Sequence, residues 1–211
     1  MWVKICGTTN LEDALAAVDA GADALGFVFA DSPRRVEPAV AAQITRSVPQ
    51  GIVRVGVFVD ESAERIREIV KEADLTAVQL HGEENLEFTR GIASRGLKVF
   101  KAIAVRGGFG ARMIAFAEKG EVDAVLLDTA AALRGGTGLS FDWGAVAKYM
   151  PAPGQVRVIV AGGLTPLSVP YAIRILRPWG VDVATGVERE PGKKDREKVR
   201  AFVKAAKNCN L

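Results

Sequence analysis

The chain has 211 residues, 49% hydrophobic and 25% charged, a balance that excludes a disordered polymer and suits one packed domain or two small ones. Its 28 basic and 25 acidic side chains leave a formal charge of +3 and are scattered along the chain, which argues against a nucleic-acid partner. No apolar run approaches the roughly 20 residues of a membrane span, and Met1–Cys6 lacks the longer apolar core of a signal peptide, so no membrane partner is expected.

Short β-branched runs alternate with longer amphipathic stretches. The runs are Val3-Ile5, Leu25-Phe29, Val53-Val59, Ala77-Leu80, Val99-Ala102, Ala124-Leu127, Val156-Val160 and Val181-Ala184. Most are apolar on consecutive residues, as in strands covered on both faces. A helical stretch follows each run. Asn10, with Asp13 three residues on, is placed to cap the helix carrying Leu11, Leu15 and Val18. Ser62 is placed to cap the stretch with Ile66, Ile69, Val70 and Ala73. Thr165-Pro166 reads as a cap followed by proline at the first helical position, but Pro170 lies inside the same pattern and predicts a kink or a late start. Asp195 caps a final helix whose apolar face is Val199, Phe202, Val203 and Ala206. Eight βα units of about 26 residues each nearly fill the length, close to the minimum for such a unit. Open doubly wound sheets usually have about five or six strands. The expected fold is therefore an α/β (β/α)8 TIM barrel occupying 1–211 as one domain.

In such a barrel the chemistry lies at the C-terminal ends of the strands. Gly162-Gly163 and Thr185-Gly186 follow the last two strands, where glycine backbone can approach a phosphate. Arg134-Gly135-Gly136-Thr137-Gly138 matches no nucleotide-binding pattern and reads as a lid or a plain flexible loop. Arg34 and Arg35 form either a carboxylate-binding fork or a solvated pair. Asp128 ends an apolar run, so its carboxyl needs a partner or a shifted pKa, or caps the next turn. His81 is a candidate substrate donor or a structural histidine, and Asp182 lies within the last strand. Cys6, taken alone, is a small buried hydrophobe. With Cys209 the only other cysteine, no disulfide framework is possible, and a reducing, cytoplasmic setting is expected. One histidine and no CxxC argue against a zinc site, whereas a carboxylate-only metal site stays open.

Taken together, the motifs resemble the phosphoribosylanthranilate isomerase family. They are Lys4-Ile5-Cys6-Gly7-Thr8-Thr9, Ser32-Pro33-Arg34, Gly56-Val57-Phe58, Gln79-Leu80-His81-Gly82, Leu126-Leu127-Asp128-Thr129, Gly135-Gly136-Thr137-Gly138 with Phe141-Asp142-Trp143, Ala161-Gly162-Gly163-Leu164, Gly186-Val187-Glu188 and Pro191-Gly192-Lys193-Lys194-Asp195. Each is weak alone, but the ordered set is specific. Thr8, Arg35 and Thr185 depart from the residues common in the family without removing a group the chemistry needs. The resemblance implies a cofactor-free, metal-free Amadori rearrangement of N-(5-phosphoribosyl)anthranilate in tryptophan biosynthesis. It implies Cys6 as general base and Asp128 as general acid. It also implies Arg34 at the anthranilate carboxylate, Gly162, Gly163, Thr185 and Gly186 at the phosphate, and His81 and Asp182 near the substrate. A base at neutral pH requires a lowered cysteine pKa, and an acid a raised aspartate pKa. The competing expectations are another phosphosugar aminoaldose–ketose isomerase, whose first strand would end in an aspartate, and a catalytically silent phosphate-binding barrel. The chain is expected as a monomer or homodimer with a small phosphorylated substrate.

Overall fold

A computed structural model describes residues 1–93, 97–119, 122–129, 142–152 and 155–209. The elements alternate as β1 (Trp2–Cys6), α1 (Leu11–Asp19), β2 (Ala24–Val28), α2 (Pro38–Ser47), β3 (Val53–Phe58), α3 (Ala63–Glu72), β4 (Ala77–Leu80) and α4 (Leu86–Ala93). They continue as β5 (Lys98–Val105), α5 (Phe109–Lys119), β6 (Ala124–Thr129), α6 (Trp143–Ala147), β7 (Val158–Val160), α7 (Val169–Leu176) and β8 (Gly180–Val183). A 3-10 turn (Thr185–Val187), the short strands β9 (Glu188–Glu190) and β10 (Lys193–Lys194), and α8 (Arg196–Lys207) complete the order. Strands β1 to β8 form a closed barrel in sequence order, with β8 returning parallel to β1. The expected (β/α)8 barrel is the observed fold.

Strand residues alternate between two apolar layers, the period-2 consequence of the pleat. Val3, Ile5, Leu25, Phe27, Val78, Leu80, Val125, Leu127, Val181 and Val183 belong to the large core that also contains the helix faces. Ala24, Val55, Ala77, Phe100, Ala102, Ala124, Leu126, Ile159 and Ala161 form a second core, inside the barrel. Trp2 packs against this inner core, edge-on to Phe100 at 5.7 Å, and stacks on Trp179 at 5.0 Å.

The caps explain where the helices begin. Asn10 accepts from the Asp13 N–H at 2.8 Å while its amide donates to the Asp13 carboxylate at 2.7 Å. Ser62 accepts from Arg65 N–H, and Asp195 from Glu197 and Lys198 N–H. Near β7 the late start expected from Pro170 is observed, and the cap expected at Thr165-Pro166 is corrected. The helix does not open at Thr165-Pro166; it starts at Val169, with Pro170 in its first turn. Proline has no N–H and is tolerated only where none is needed, so Pro170 sets the late start. Thr165 instead closes a turn with Ser168, each N–H donating to the other's hydroxyl. The β9–β10 hairpin, which the apolar pattern does not reveal, turns at Pro191-Gly192, with Gly192 at φ +80°. Arg134–Gly138, read as a lid or a plain flexible loop, lies outside the described residues.

Candidate active site

A cavity of about 300 Å³ opens at the C-terminal ends of the strands. Cys6, Arg34, His81, Asp128, Gly162, Gly163, Asp182, Thr185 and Gly186 all line it. The pleat puts the strand-borne members there. Cys6, Gln79, Asp128 and Asp182 share the inward register of the small barrel residues, while their neighbours Ile5, Leu80, Leu127 and Val183 pack against helices. Cys6 and Asp128 lie on strands separated by β7 and β8.

Asp128 has two polar neighbours at the cavity. Its Oδ1 accepts from the Thr129 N–H at 2.7 Å, and its Oδ2 lies 3.3 Å from His81 Nε2. The Gln79 amide nitrogen is 2.7 Å from His81 Nδ1. An amide N–H donating to Nδ1 leaves the ring proton on Nε2, where it faces Asp128. Gln79, which shares a motif with His81 but had no role expected of it, is thus within hydrogen-bond reach of the histidine ring.

Cys6 is 8% exposed. Beneath it Lys4, fully buried, pairs with Asp182 at 2.9 Å. Burial pushes the Cys6 thiol up from its ordinary value, and the Lys4 ammonium pulls against that shift without reversing it. This corrects the expected lowered thiol. The lysine itself is held above its usual range: desolvation opposes its charge, but Asp182 and Cys6 outweigh that penalty. A positive charge locked beside the sulfur stabilises a thiolate when one forms.

Glycine builds the wall between Asp128 and Cys6, after β7 and β8. Gly162 and Gly163 have φ of +77° and +66°, consecutive left-handed residues that no L side chain adopts readily. Gly186 lies so close to the Leu164 carbonyl that any Cβ would collide with it. The loops after β7 and β8 therefore meet backbone to backbone, and Leu164 and Thr165 join the glycines in lining the cavity. Such exposed backbone N–H groups suit an anion.

Arg34 departs from its expected use as an open fork. Its Nε and Nη2 are already paired with Glu188, at 2.9 and 2.7 Å, and Nη2 also donates to Thr185 at 3.1 Å. It is 7% exposed, so the solvated-pair alternative does not hold for it, whereas Arg35 lies on the surface. Glu188 and Lys194, which lie in the Gly186-Val187-Glu188 and Pro191–Asp195 motifs, are both buried here. Their charges are invisible as core residues until the hairpin folds them inward. Among the described residues no group of three or more His, Cys, Asp or Glu side chains could hold a metal ion.

A closed barrel whose strand ends carry titratable groups on either side of glycine loops defines a (β/α)8-barrel enzyme. A family profile described as N-(5'phosphoribosyl)anthranilate (PRA) isomerase matches residues 3–205. N-(5'-phosphoribosyl)anthranilate isomerase of Myxococcus xanthus is 48% identical over 211 residues, spanning 99% of this chain and 97% of that protein. The crystal structure of phosphoribosyl anthranilate isomerase from Thermotoga maritima superposes with a TM-score of 0.89 at 44% identity, covering 98% of both chains. The corresponding enzyme from Thermus thermophilus gives 0.88 at 41% identity, with full coverage of both. The chain belongs to the N-(5'-phosphoribosyl)anthranilate isomerase family and is an isomerase.

Proposed function

We propose that the chain converts N-(5'-phosphoribosyl)anthranilate to 1-(2-carboxyphenylamino)-1-deoxyribulose 5-phosphate, a step of tryptophan biosynthesis, with Asp128 as acid and Cys6 as base. The observation that carries the reading is that both residues stand at inward strand ends of one cavity walled by glycine loops. A related structure bears on the ligand class: a phosphoribosyl anthranilate isomerase described in complex with reduced 1-(o-carboxyphenylamino)-1-deoxyribulose 5-phosphate has a TM-score of 0.84 and 42% identity, with 98% coverage of each chain.

The substrate phosphate sits on the Gly162-Gly163 and Thr185-Gly186 backbone, which orients the sugar. Asp128 gives its proton to the furanose ring oxygen, and the ring opens to a protonated Schiff base. The N–H groups of Thr129 and His81 then stabilise the carboxylate left behind. Cys6, as thiolate, takes the proton from sugar C2, and the electron pair moves to the Schiff-base nitrogen to give the enolamine. Lys4 holds positive charge beside the sulfur while it is anionic. Tautomerisation of the enolamine gives the ketone, so the conversion is an isomerisation with no external oxidant or reductant. A reducing cytoplasmic setting keeps Cys6 a thiol.

Purified protein is expected to consume phosphoribosylanthranilate, read as loss of its fluorescence. Cys6→Ala and Asp128→Asn are expected to lower kcat by about 10²–10⁴-fold each. No turnover by the wild type would overturn the activity, and wild-type rates in both variants would overturn the acid–base pair.

A further inference from the structure

Beside the cavity lies a buried polar knot that the acid–base pair does not use. Glu188 sits at its centre with its side chain 3% exposed. Its Oε1 accepts from Arg34 Nε at 2.9 Å, Lys194 Nζ at 3.0 Å and Gly192 N–H at 3.2 Å. Its Oε2 accepts from Arg34 Nη2 at 2.7 Å. Lys194 in turn reaches the Cys6 carbonyl at 2.5 Å, and its own N–H donates to Asp13. The knot therefore ties the β2 loop and the base-bearing end of β1 to the β9–β10 hairpin. Burial alone would push the Glu188 carboxyl up. The hydrogen bond from Arg34 and the charge of Lys194 outweigh that cost and hold it below the usual carboxylate range.

Of the side chains paired with Glu188, Arg34 is the one that faces the ligand space. Arg34 lines the cavity, whereas neither Lys194 nor Glu188 does. Glu188 takes Nε and Nη2, and Thr185 takes Nη2 as well, so neither engages Nη1. The arginine stem lies against the end of β1, where a Cβ on Gly7 would come within 2.6 Å of Arg34 Cδ. The guanidinium is thus fixed along its stem and along one edge, and its orientation is set before any ligand arrives.

We propose that Glu188 is a positioning residue that aims Arg34 at the carboxylate on the substrate's aromatic ring. The inference rests on the activity proposed above. Glu188 does not touch substrate; it removes the rotameric freedom of the arginine that does. Arg34 without Glu188 would still carry its charge, but it would lose the bidentate partner that holds its plane.

The test compares two substrates in Glu188→Gln: phosphoribosylanthranilate and N-(5'-phosphoribosyl)aniline, which lacks the ring carboxylate. The expected result is a KM about tenfold higher for the anthranilate substrate, with kcat within about twofold, and little change for the aniline substrate. In an Arg34→Met background the same substitution is expected to add nothing. Equal losses on both substrates would mark Glu188 as merely structural, and an unchanged KM on both would remove it from the site; either overturns the proposal. Glu188→Asp keeps the charge while withdrawing the carboxylate by one methylene. It is read the same way if the glutamine variant does not fold. A wild type inactive on phosphoribosylanthranilate would instead overturn the proposed activity.

Discussion

The two faces of the barrel wall are built from the same strands and differ in what each asks of a side chain. The outward positions of β1 and β2 carry Val3, Ile5, Leu25 and Phe27, all fully buried against helices. The inward positions carry Lys4, Cys6, Ala24 and Gly26, where volume is scarce. A Cβ on Gly26 would come within 2.8 Å of the Cys6 sulfur and 3.0 Å of Lys4 Cε. The outer face fills the space between sheet and helices with branched bulk. The inner face mixes alanines with a few large residues such as Phe100, Leu126 and Ile159, and carries Cys6, Asp128 and Asp182 at the cavity, with Gly26 level with Cys6. Chemistry and packing are thereby separated by one residue of register, and a one-residue slip would exchange them.

That contrast can be broken most severely at Lys4. Lys4→Met leaves the Asp182 carboxylate buried without its cation, at an expected cost of about 3–5 kcal/mol of stability by denaturant titration. The same change removes the charge that opposes the upward shift of the Cys6 thiol, so the thiolate then forms at still higher pH. In a Cys209→Ser background, alkylation of Cys6 by iodoacetamide is expected to accelerate as pH rises past the ordinary thiol value near 8.5, and in Lys4→Met that rise is displaced to more alkaline pH. A coincident profile in the two proteins would separate Lys4 from the base.

Leu25→Ala probes the outer face alone. Removing a fully buried leucine between sheet and helices is expected to cost about 2–5 kcal/mol with kcat and KM nearly unchanged. Ala124→Val probes the inner face low in the barrel, where added methyls have no space; about 1–3 kcal/mol is expected, again without loss of turnover. If Ala124→Val lowered kcat as strongly as stability, the floor of the barrel would be coupled to its mouth and the separation would fail.

Glu188 adds a smaller, pH-dependent difference. Its folded carboxyl is held below its ordinary value, so the stability it contributes is present above the unfolded pKa of about 4.3 and is lost as pH falls through the lower folded value. Glu188→Gln is expected to remove that part of the acid sensitivity. The stability gap between variant and wild type should therefore narrow across this window on acidification.

Much of this architecture was legible in the chain. Each apolar run became a strand, and Asn10, Ser62 and Asp195 cap the helices they were expected to cap. These are local matters: a short side-chain oxygen reaches an N–H two or three residues on, whatever the rest of the fold does. The motif segments also lead to the residues that line the cavity. Register was less legible. Val125-Leu126-Leu127-Asp128 is apolar on consecutive residues, so the sequence alone does not say that Leu126 and Asp128 turn inward while Leu127 turns out.

The chain by itself determined eight βα units and the residue types at each strand end, because periodicity and capping act over a few residues. The tertiary structure decided which of those types became partners. Lys4 and Asp182 are 178 residues apart, Arg34 and Glu188 154, and Lys194 and Cys6 188, and each pair meets only when the barrel closes and the β9–β10 hairpin folds back. Closure also decided the direction in which the thiol of the candidate base is shifted. Desolvation and the field of a neighbouring ammonium depend on what surrounds the sulfur in space, and no spacing along the chain encodes that.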